Sequence, residues 1–145
     1  TARAHLGWVA ASNGIPRKRV QQVLEEVGLA ADANRRVGTY SLGMGQRLGL
    51  ATALLGKPER LVLDEPVNGL DPQGVRWIRR LLRAHADAGG TVLLSSHLIG
   101  ELAEIVDDVV IINGGRIKAW GGVADVMAGH PSLEEAFFAH VEARA

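Results

Sequence analysis

The sequence contains no cysteine, which excludes disulfide bonds and thiolate metal sites and fits a reducing compartment. It has no excess of either charge, with sixteen acidic and sixteen basic residues, so no overall attraction to nucleic acid or to an acidic membrane surface is expected. No apolar run approaches the roughly 20 residues that a membrane-spanning helix needs, and no signal peptide is recognisable. The composition that remains, 47% apolar and 22% charged over 145 residues, is typical of one globular domain with a hydrophobic core.

The first part of the chain is predicted to be helical. Helices are expected over Ala2–Ser12, from Pro16 to Gly28, and over about Gly43–Leu55. The second helix has apolar residues at the spacing i, i+3, i+4 and i+7, which places them on one buried face: Val20, Val23, Leu24 and Val27. We therefore predict a helical lobe over residues 1–56.

The remaining residues, 57–145, have the pattern of an α/β core with a C-terminal tail. The continuous apolar run Leu61–Leu63 predicts a strand buried on both faces, and Thr91–Ser95 predicts a second strand. Asp71, followed by proline, is expected to cap and begin the helix between them, which gives a right-handed βαβ unit with parallel strands. Shorter elements are expected beyond it: a helix over about Leu98–Ile105, a hairpin around Asn113-Gly114-Gly115, and short helices near Val123 and after Ser132.

Two adjacent acids, Asp64 and Glu65, directly follow the first predicted strand. Ligands of parallel α/β proteins bind at the carboxyl ends of the strands, so these carboxylates are candidates for a site. There Asp64 can hold Mg²⁺, directly or through water, and Glu65 can polarise a water molecule for attack on a phosphate. The alternative is that both acids only begin a surface loop.

A second candidate is the start of the third predicted helix, where Ser41 precedes Gly43. The free backbone N–H groups and the positive dipole end of a helix N-terminus bind anions. Ser41 adds a hydroxyl donor, and Gly43 lets a phosphate come close to the backbone. The alternative is an ordinary loop in which Ser41 serves as the N-cap.

Two further segments follow the predicted strands. Asn68–Asp71 comes after the paired acids, and its simplest role is a turn with a helix cap. His97 follows the second strand. It is either a structural histidine or, beside Asp64 and Glu65, a donor to the outer phosphate of a nucleotide.

In their order and spacing, these four signals resemble the ATP-binding cassette (ABC) family over almost the whole chain. Leu61–Glu65 resembles the Walker B strand, Ser41–Arg47 the signature motif and Asn68–Asp71 the D-loop. The resemblance implies a partial P-loop NTPase core with parallel strands, preceded by part of a helical lobe and followed by a β-hairpin and short helices. It also implies ATP and Mg²⁺ as cofactors, with these roles: Mg²⁺ binding by Asp64, catalysis by Glu65 and His97, and contact with a partner subunit's ATP by Ser41, Gly43, Gln46 and Asp71.

The signature differs from its commonest form at Leu42 and Met44, where glycine and glutamine are usual. Such variants are familiar in the exporter branch that includes drug- and bacitracin-resistance ATPases, and residues 132–137 resemble the close of exporter cassettes. The resemblance therefore implies membrane export driven by ATP hydrolysis. The implied partners are a second ATPase subunit in a head-to-tail dimer and an integral membrane permease, and the implied location is cytoplasmic, against the inner face of the membrane.

Three parts of the family's ATP site have no match in the sequence: the Gly-x-x-x-x-Gly-Lys-Ser/Thr loop, an aromatic residue to stack on adenine, and the glutamine-bearing Q-loop. The family's layout places all three upstream of Thr1. We therefore expect a chain that starts inside the helical lobe of a longer ATPase, with no ATP turnover by itself. Two other functions remain open: a soluble cassette ATPase of translation or DNA maintenance, and a non-enzymatic module that offers only the signature surface.

Overall fold

The computed structural model describes residues 1–142, with the side chains of residues 101 and 102 outside the description. The chain forms two compact units, residues 1–95 and residues 96–145. The first contains helices α1 (Ala2–Ser12), α2 (Lys18–Glu26), α3 (Leu42–Leu54) and α4 (Pro72–Asp87), a 3₁₀ turn (Val37–Thr39), and strands β1 (Arg60–Asp64) and β2 (Thr91–Ser95). The second contains α5 (Ile99–Leu102), β3 (Asp108–Asn113), β4 (Arg116–Gly122), α6 (Val123–Val126) and α7 (Leu133–Glu142). None of these described helices has the length and apolarity needed to cross a membrane.

Helices α1, α2 and α3 pack around a shared core in the first unit. Five side chains from these helices have no exposed surface: Ala2, Leu6, Val23, Leu24 and Ala51. The apolar face predicted for the second helix is confirmed, although α2 begins at Lys18 rather than at Pro16. Gly28 lies just beyond α2 with a left-handed φ of +70°, a conformation that glycine adopts without a Cβ penalty. The lobe boundary expected at residue 56 lies inside the first unit and stays a prediction.

Strands β1 and β2 pair in parallel, and α4 connects them, as the sequence predicts. One face of this sheet packs on the core of the first unit through alternate residues of both strands: Leu61, Leu63, Val92 and Leu94. On the other face, which we call the open sheet face, the register partners Val62 and Leu93 expose 75% and 63% of their surface. The prediction that these strands are buried on both faces is therefore wrong, because no element of the first unit packs over this face.

The second unit is built on an antiparallel hairpin of β3 and β4. Gly114 and Gly115 form the predicted turn with φ of +58° and +68°, the left-handed pair that a type I′ turn requires. The core of this unit contains residues of the hairpin, of α6 and of α7: Ile111, Val126 and Leu133. Helix α5 is shorter than the helix expected over Leu98–Ile105: it begins at Ile99 and ends at Leu102, and a turn follows over residues 103–105.

Candidate functional site

The carboxyl ends of β1 and β2 bring Asp64, Glu65 and Ser95 together. Asp64 and Ser95 are register partners at the last positions of the two strands. The Ser95 hydroxyl donates a hydrogen bond to Oδ1 of Asp64 and accepts one from the backbone N–H of Glu65, at 3.0 Å. Ser95 therefore holds the side chain of the first acid and the backbone of the second. The sequence analysis did not assign this role to Ser95. The available signal was that Ser95 ends the second predicted parallel strand, as Asp64 ends the first.

Glu65 has a left-handed backbone conformation, with φ of +47°, which is rare for a residue that carries a side chain. Such a conformation costs on the order of 1–2 kcal/mol. It turns the chain at the end of β1, where the Glu65 carbonyl accepts a hydrogen bond from the N–H of Asn68 at 3.1 Å. Because backbone strain of this kind concentrates at functional sites, it supports a chemical role for Glu65 over a simple surface loop.

Asp64 is exposed at this edge, on the same side of β1 as Val62. Among residues 1–142, the described side chains form no cluster of three or more His, Cys, Asp or Glu that could hold a metal ion. Mg²⁺, however, is commonly bound by one or two carboxylates together with waters and the phosphates of a substrate. Asp64 therefore fits as a protein ligand of a Mg²⁺ ion that nucleotide phosphates also bind.

Helix α3 begins at the predicted anion site, and Ser41 is its N-cap residue. The Ser41 hydroxyl accepts a hydrogen bond from the N–H of Met44 at 3.2 Å, and Ser41 remains exposed. This contact confirms the capping role. The binding of a phosphate by Ser41 and Gly43 stays a prediction, which the dipole of the 13-residue helix favours at this end.

The start of α3 is held against the segment Asn68–Asp71. The side-chain amide of Gln46 donates a hydrogen bond to the carbonyl of Asn68 at 3.1 Å. Gly69 has a left-handed φ of +74°, which strains any residue with a side chain, and a Cβ there would displace a methyl group of Leu42. The segments that resemble the signature motif and the D-loop are therefore in contact with each other in this chain. The contact of Gln46 with a partner subunit's ATP stays a prediction.

Asp71 and His97 complete the predicted set of site residues. Asp71 caps α4, where its Oδ1 accepts a hydrogen bond from the N–H of Gly74 at 2.7 Å. This confirms the predicted cap, and a contact of Asp71 with nucleotide stays a prediction. His97 belongs to the second unit, two residues beyond Ser95 in the sequence, and is exposed. Its contact with a γ-phosphate also stays a prediction.

Arg47, the last residue of the signature segment, joins three helical elements of the first unit. Its guanidinium lies over the ring of Trp77 in α4, 4.1 Å from the ring centroid. Its Nη1 donates a hydrogen bond to the carbonyl of Val27, just beyond α2, at 3.0 Å. Arg47 thus fixes α3 relative to α2 and α4, a role that nothing in the sequence pattern indicated.

Known proteins share this architecture. Residues 3–68 match the family described as ABC transporter. The ABC transporter ATP-binding protein YcbN of Bacillus subtilis strain 168 is 47% identical over 111 residues, which are 76% of this chain and 36% of YcbN. The bacitracin transport ATP-binding protein BcrA of Bacillus licheniformis is 47% identical over 119 residues, 81% of this chain and 39% of BcrA. A solved ATP-binding subunit of an ABC transporter has a TM-score of 0.84 at 28% identity, over 97% of this chain and 62% of its own.

The mixed α/β fold with parallel strands is that of a partial P-loop NTPase core. The chain belongs to the ABC transporter ATP-binding protein family, which confirms the resemblance seen in the sequence. It spans less than half the length of the curated relatives named above, and about three fifths of the solved subunit.

Proposed function

We propose that the chain forms the catalytic edge and the signature helix of an ABC ATPase subunit that couples ATP hydrolysis to membrane export. The observation that carries this proposal is the arrangement of Asp64, Glu65 and Ser95 at the carboxyl ends of two parallel strands. Two relatives are named for bacitracin transport and for lantibiotic transport, BcrA of Bacillus licheniformis and SrtF of Streptococcus pyogenes. These names support a transporter over an ATPase of translation or DNA maintenance.

At the catalytic edge, Glu65 orients and polarises the water that attacks the γ-phosphate. The Ser95 hydroxyl and the left-handed turn hold its backbone in place. Asp64 binds Mg²⁺, which when bound neutralises charge on the phosphates. His97 donates a hydrogen bond to the γ-phosphate.

At the signature helix, Ser41 and Gly43 bind the ATP of a second ATPase subunit in a head-to-tail dimer. The backbone N–H groups and dipole of α3 provide the attraction for its phosphate. Gln46 and Asp71 support this surface, Gln46 through its bond to Asn68 and Asp71 through its cap on α4. ATP joins the two subunits, and its hydrolysis lets them separate.

We infer that this cycle drives an integral membrane permease, with the ATPase subunit on the cytoplasmic face of the membrane. A solved relative, cbiO1 of Clostridium perfringens, is part of the ABC transporter complex cbiONQ. That relative is 30% identical to this chain with a TM-score of 0.72, which supports a permease as the partner.

The test is a chimera in which this chain replaces the 119 aligned residues of Bacillus licheniformis BcrA. We expect Mg²⁺-dependent ATP hydrolysis, reduced roughly 100-fold or more by Glu65→Gln because an amide does not act as a general base. Glu59→Gln is the matched control, since it makes the same chemical change at an exposed residue just before β1. A Glu65→Gln chimera that hydrolyses ATP at the unaltered rate would overturn the catalytic assignment.

Ser41→Asp separates capping from phosphate binding. Asp caps a helix as well as Ser does, so the stability of the protein should change little. Its negative charge repels a phosphate, so ATP-dependent dimerisation of the Glu65→Gln chimera should be lost. Ser41→Thr keeps the hydroxyl and should still dimerise. Unchanged dimerisation of the Ser41→Asp protein would show that α3 does not contact the partner's ATP.

We also infer that the 145-residue chain does not turn over ATP by itself, because its sequence lacks the lysine and glycine-rich loop that bind the phosphates. The measurement is phosphate release by the purified chain. Hydrolysis that Glu65→Gln abolishes would contradict this inference.

A further inference from the structure

A cleft of about 350 Å³ lies within the first unit, at the end of β1 that is opposite to Asp64. We call it the basic cleft. It is lined by residues of α2, of α3, of the segment before β1 and of α4: Arg19, Glu26, Leu54, Lys57, Pro58 and His85. Strand β1 rises about 3.3 Å per residue, so the basic cleft lies roughly 13 Å or more from the catalytic edge. Its volume is in the range of small-molecule binding sites.

Arg19 of α2 is fixed in the wall of the basic cleft, where its side chain is only 12% exposed. Its Nε donates a hydrogen bond to the carbonyl of Leu55 at 3.3 Å. Its Nη2 donates to the carbonyl of Leu54 at 3.1 Å and to the Glu26 carboxylate at 2.9 Å. These bonds use three of the five N–H groups of a guanidinium. The two N–H groups on Nη1 have no acceptor among the described residues, so they can donate to a ligand in the cleft.

Lys57 brings a second positive charge to the basic cleft. Its backbone N–H donates to the carbonyl of Leu54 at 3.0 Å, the same carbonyl that Arg19 contacts. Its φ of +51° is left-handed, a conformation that glycine adopts without a Cβ penalty. In the part of the chain that the structure describes, the Lys57 ammonium forms no ion pair. Because strained backbone concentrates at functional sites, a lysine at this position favours a role for its side chain.

His85 lines the basic cleft from the last turn of α4. Its Nε2 is buried and has no hydrogen-bond partner among the described residues. A buried N–H group without an acceptor is costly, which favours the neutral tautomer with the proton on Nδ1. In that tautomer His85 has an N–H donor on its other ring nitrogen.

We propose that the basic cleft binds a phosphoryl group, either as free phosphate or on a small phosphorylated molecule, through Arg19, Lys57 and His85. The one carboxylate in its wall, that of Glu26, is already bonded to Arg19, so the wall keeps an excess of positive charge. This excess favours an anion. A guanidinium edge beside an ammonium is a donor set that suits phosphate. None of the three donors belongs to the catalytic edge or to the signature segment, so this site is separate from the function proposed above.

Calorimetric titration of the 145-residue chain with inorganic phosphate, at constant ionic strength, tests the site. All titrations use the Ser41→Asp background, so that the anion site proposed at α3 does not contribute. We expect saturable binding to one site with a Kd of about 1 mM or tighter. Lys57→Met removes the ammonium and should weaken binding roughly tenfold or more. Lys18→Met is the matched control, because Lys18 is exposed and adjacent to Arg19 in the sequence but does not line the cleft, and it should leave the Kd unchanged.

His85→Phe keeps a planar ring and removes both ring nitrogens. It should weaken phosphate binding roughly threefold or more, because one donor is lost. The urea midpoint of each variant is measured beside its Kd. Weaker binding at an unchanged urea midpoint supports a direct contact with the anion. An unchanged Kd for His85→Phe or for Lys57→Met would overturn the assignment of these donors.

The choice of anion separates phosphate recognition from general attraction to negative charge. Acetate that binds as tightly as phosphate would overturn the proposal, and so would equal weakening by Lys57→Met and Lys18→Met. The absence of saturable phosphate binding would overturn it directly. Glycerol phosphate distinguishes the two sources of the phosphoryl group. Tighter binding than inorganic phosphate supports a small phosphorylated molecule as the ligand, and equal or weaker binding supports free phosphate.

Discussion

Within the first unit, helices α1, α2 and α3, which correspond to the predicted helical lobe, bury their apolar residues to a different extent from the parallel sheet. In the lobe, side chains from α1, α2 and α3 pack on one another, and Leu6, Val23 and Leu24 have no exposed surface. In the sheet, Val62 and Leu93 are 75% and 63% exposed on one face. A helix forms its backbone hydrogen bonds within itself, whereas a parallel strand depends on distant segments for pairing and for cover.

This difference separates the part of the chain that its own contacts bury from the part that has an uncovered apolar face. The signature surface lies at the end of α3, whose buried side packs inside the lobe core. The acids Asp64 and Glu65 lie instead at the edge of a sheet that is covered on one face only. We therefore expect α3 to keep its conformation in this chain by its own packing, and the sheet edge that carries Asp64 and Glu65 to be less well supported.

The largest expected effect comes from truncating one leucine in each region. Leu24→Ala should lower the free energy of unfolding of the 145-residue chain by about 2–5 kcal/mol, because it leaves a cavity in the lobe core. Leu93→Ala should lower it by less than about 0.5 kcal/mol, because that side chain is already exposed. Urea denaturation of both variants measures the difference. A similar large loss for Leu93→Ala would show that the open sheet face is covered in solution.

Breaking the link between the helical lobe and α4, the helix that connects the two strands, should have the next largest effect. Arg47→Ala removes both the stacking on Trp77 and the hydrogen bond to Val27, and should cost about 2 kcal/mol in the free energy of unfolding. Arg47→Lys keeps the charge but not the planar group, so its free energy of unfolding should lie between that of Arg47→Ala and that of the unaltered chain. Urea denaturation followed by tryptophan fluorescence reports on both. Equal stability of all three proteins would mean that this contact does not join the lobe to α4.

The N-caps of α3 and α4 allow a second comparison, with smaller expected effects. Asp71→Ala should cost about 1 kcal/mol, because the N–H of Gly74 loses its acceptor at the start of α4. Ser41→Ala should cost about as much or less at the start of α3. Asp71→Asn is the control, since asparagine also caps well, and it should stay near the stability of the unaltered chain. Thermal unfolding of the four proteins tests this order of stabilities. An Asp71→Ala variant as stable as the unaltered chain would contradict it.

The sequence predicts this fold wherever the signal is local. The apolar stripe of α2, the cap at Asp71 and the turn at Gly114 and Gly115 all depend on residues within one or two turns of one another, and all three are confirmed. The open sheet face could not be predicted in this way. Leu61–Leu63 is apolar throughout, so its pattern does not tell which face of the strand is covered.

The candidate site likewise contains some features that the sequence predicts and others that it does not. The position of Asp64 and Glu65 at a strand end follows from the general rule for parallel α/β proteins. The bond between Ser95 and Asp64 and the bond between Gln46 and Asn68 join residues 31 and 22 positions apart in the sequence. Such pairs depend on strand register and on helix packing, which residue spacing alone does not encode. The roles of the site residues toward ATP stay predictions until the chimera is measured.

The last expected effect depends on pH and lies in the polar segment between α2 and α3. Tyr40 is the only tyrosine in the sequence, and its hydroxyl donates a hydrogen bond to the carbonyl of Asp32 at 2.7 Å. Burial raises the pKa of Tyr40 above its ordinary value of 10.0, and the Asp32 carboxylate raises it further, while Arg35 partly offsets both. The folded state therefore favours the neutral phenol. Its contribution to stability is complete below the unfolded-state pKa and is lost as the pH rises through the folded-state pKa.

Tyr40→Phe isolates this contribution, because phenylalanine keeps the ring and removes the titrating hydroxyl. At neutral pH the variant should lose about 1 kcal/mol with the hydrogen bond to Asp32. From about pH 9 to about pH 11 the unaltered chain should lose more stability than the variant, so the gap between them should narrow. Urea midpoints across this range measure the gap, and the ultraviolet absorbance of the single tyrosinate gives the folded-state pKa directly. A gap that stays constant would mean that Tyr40 titrates alike in the folded and unfolded chains, and that this segment is less well packed than the helices it joins.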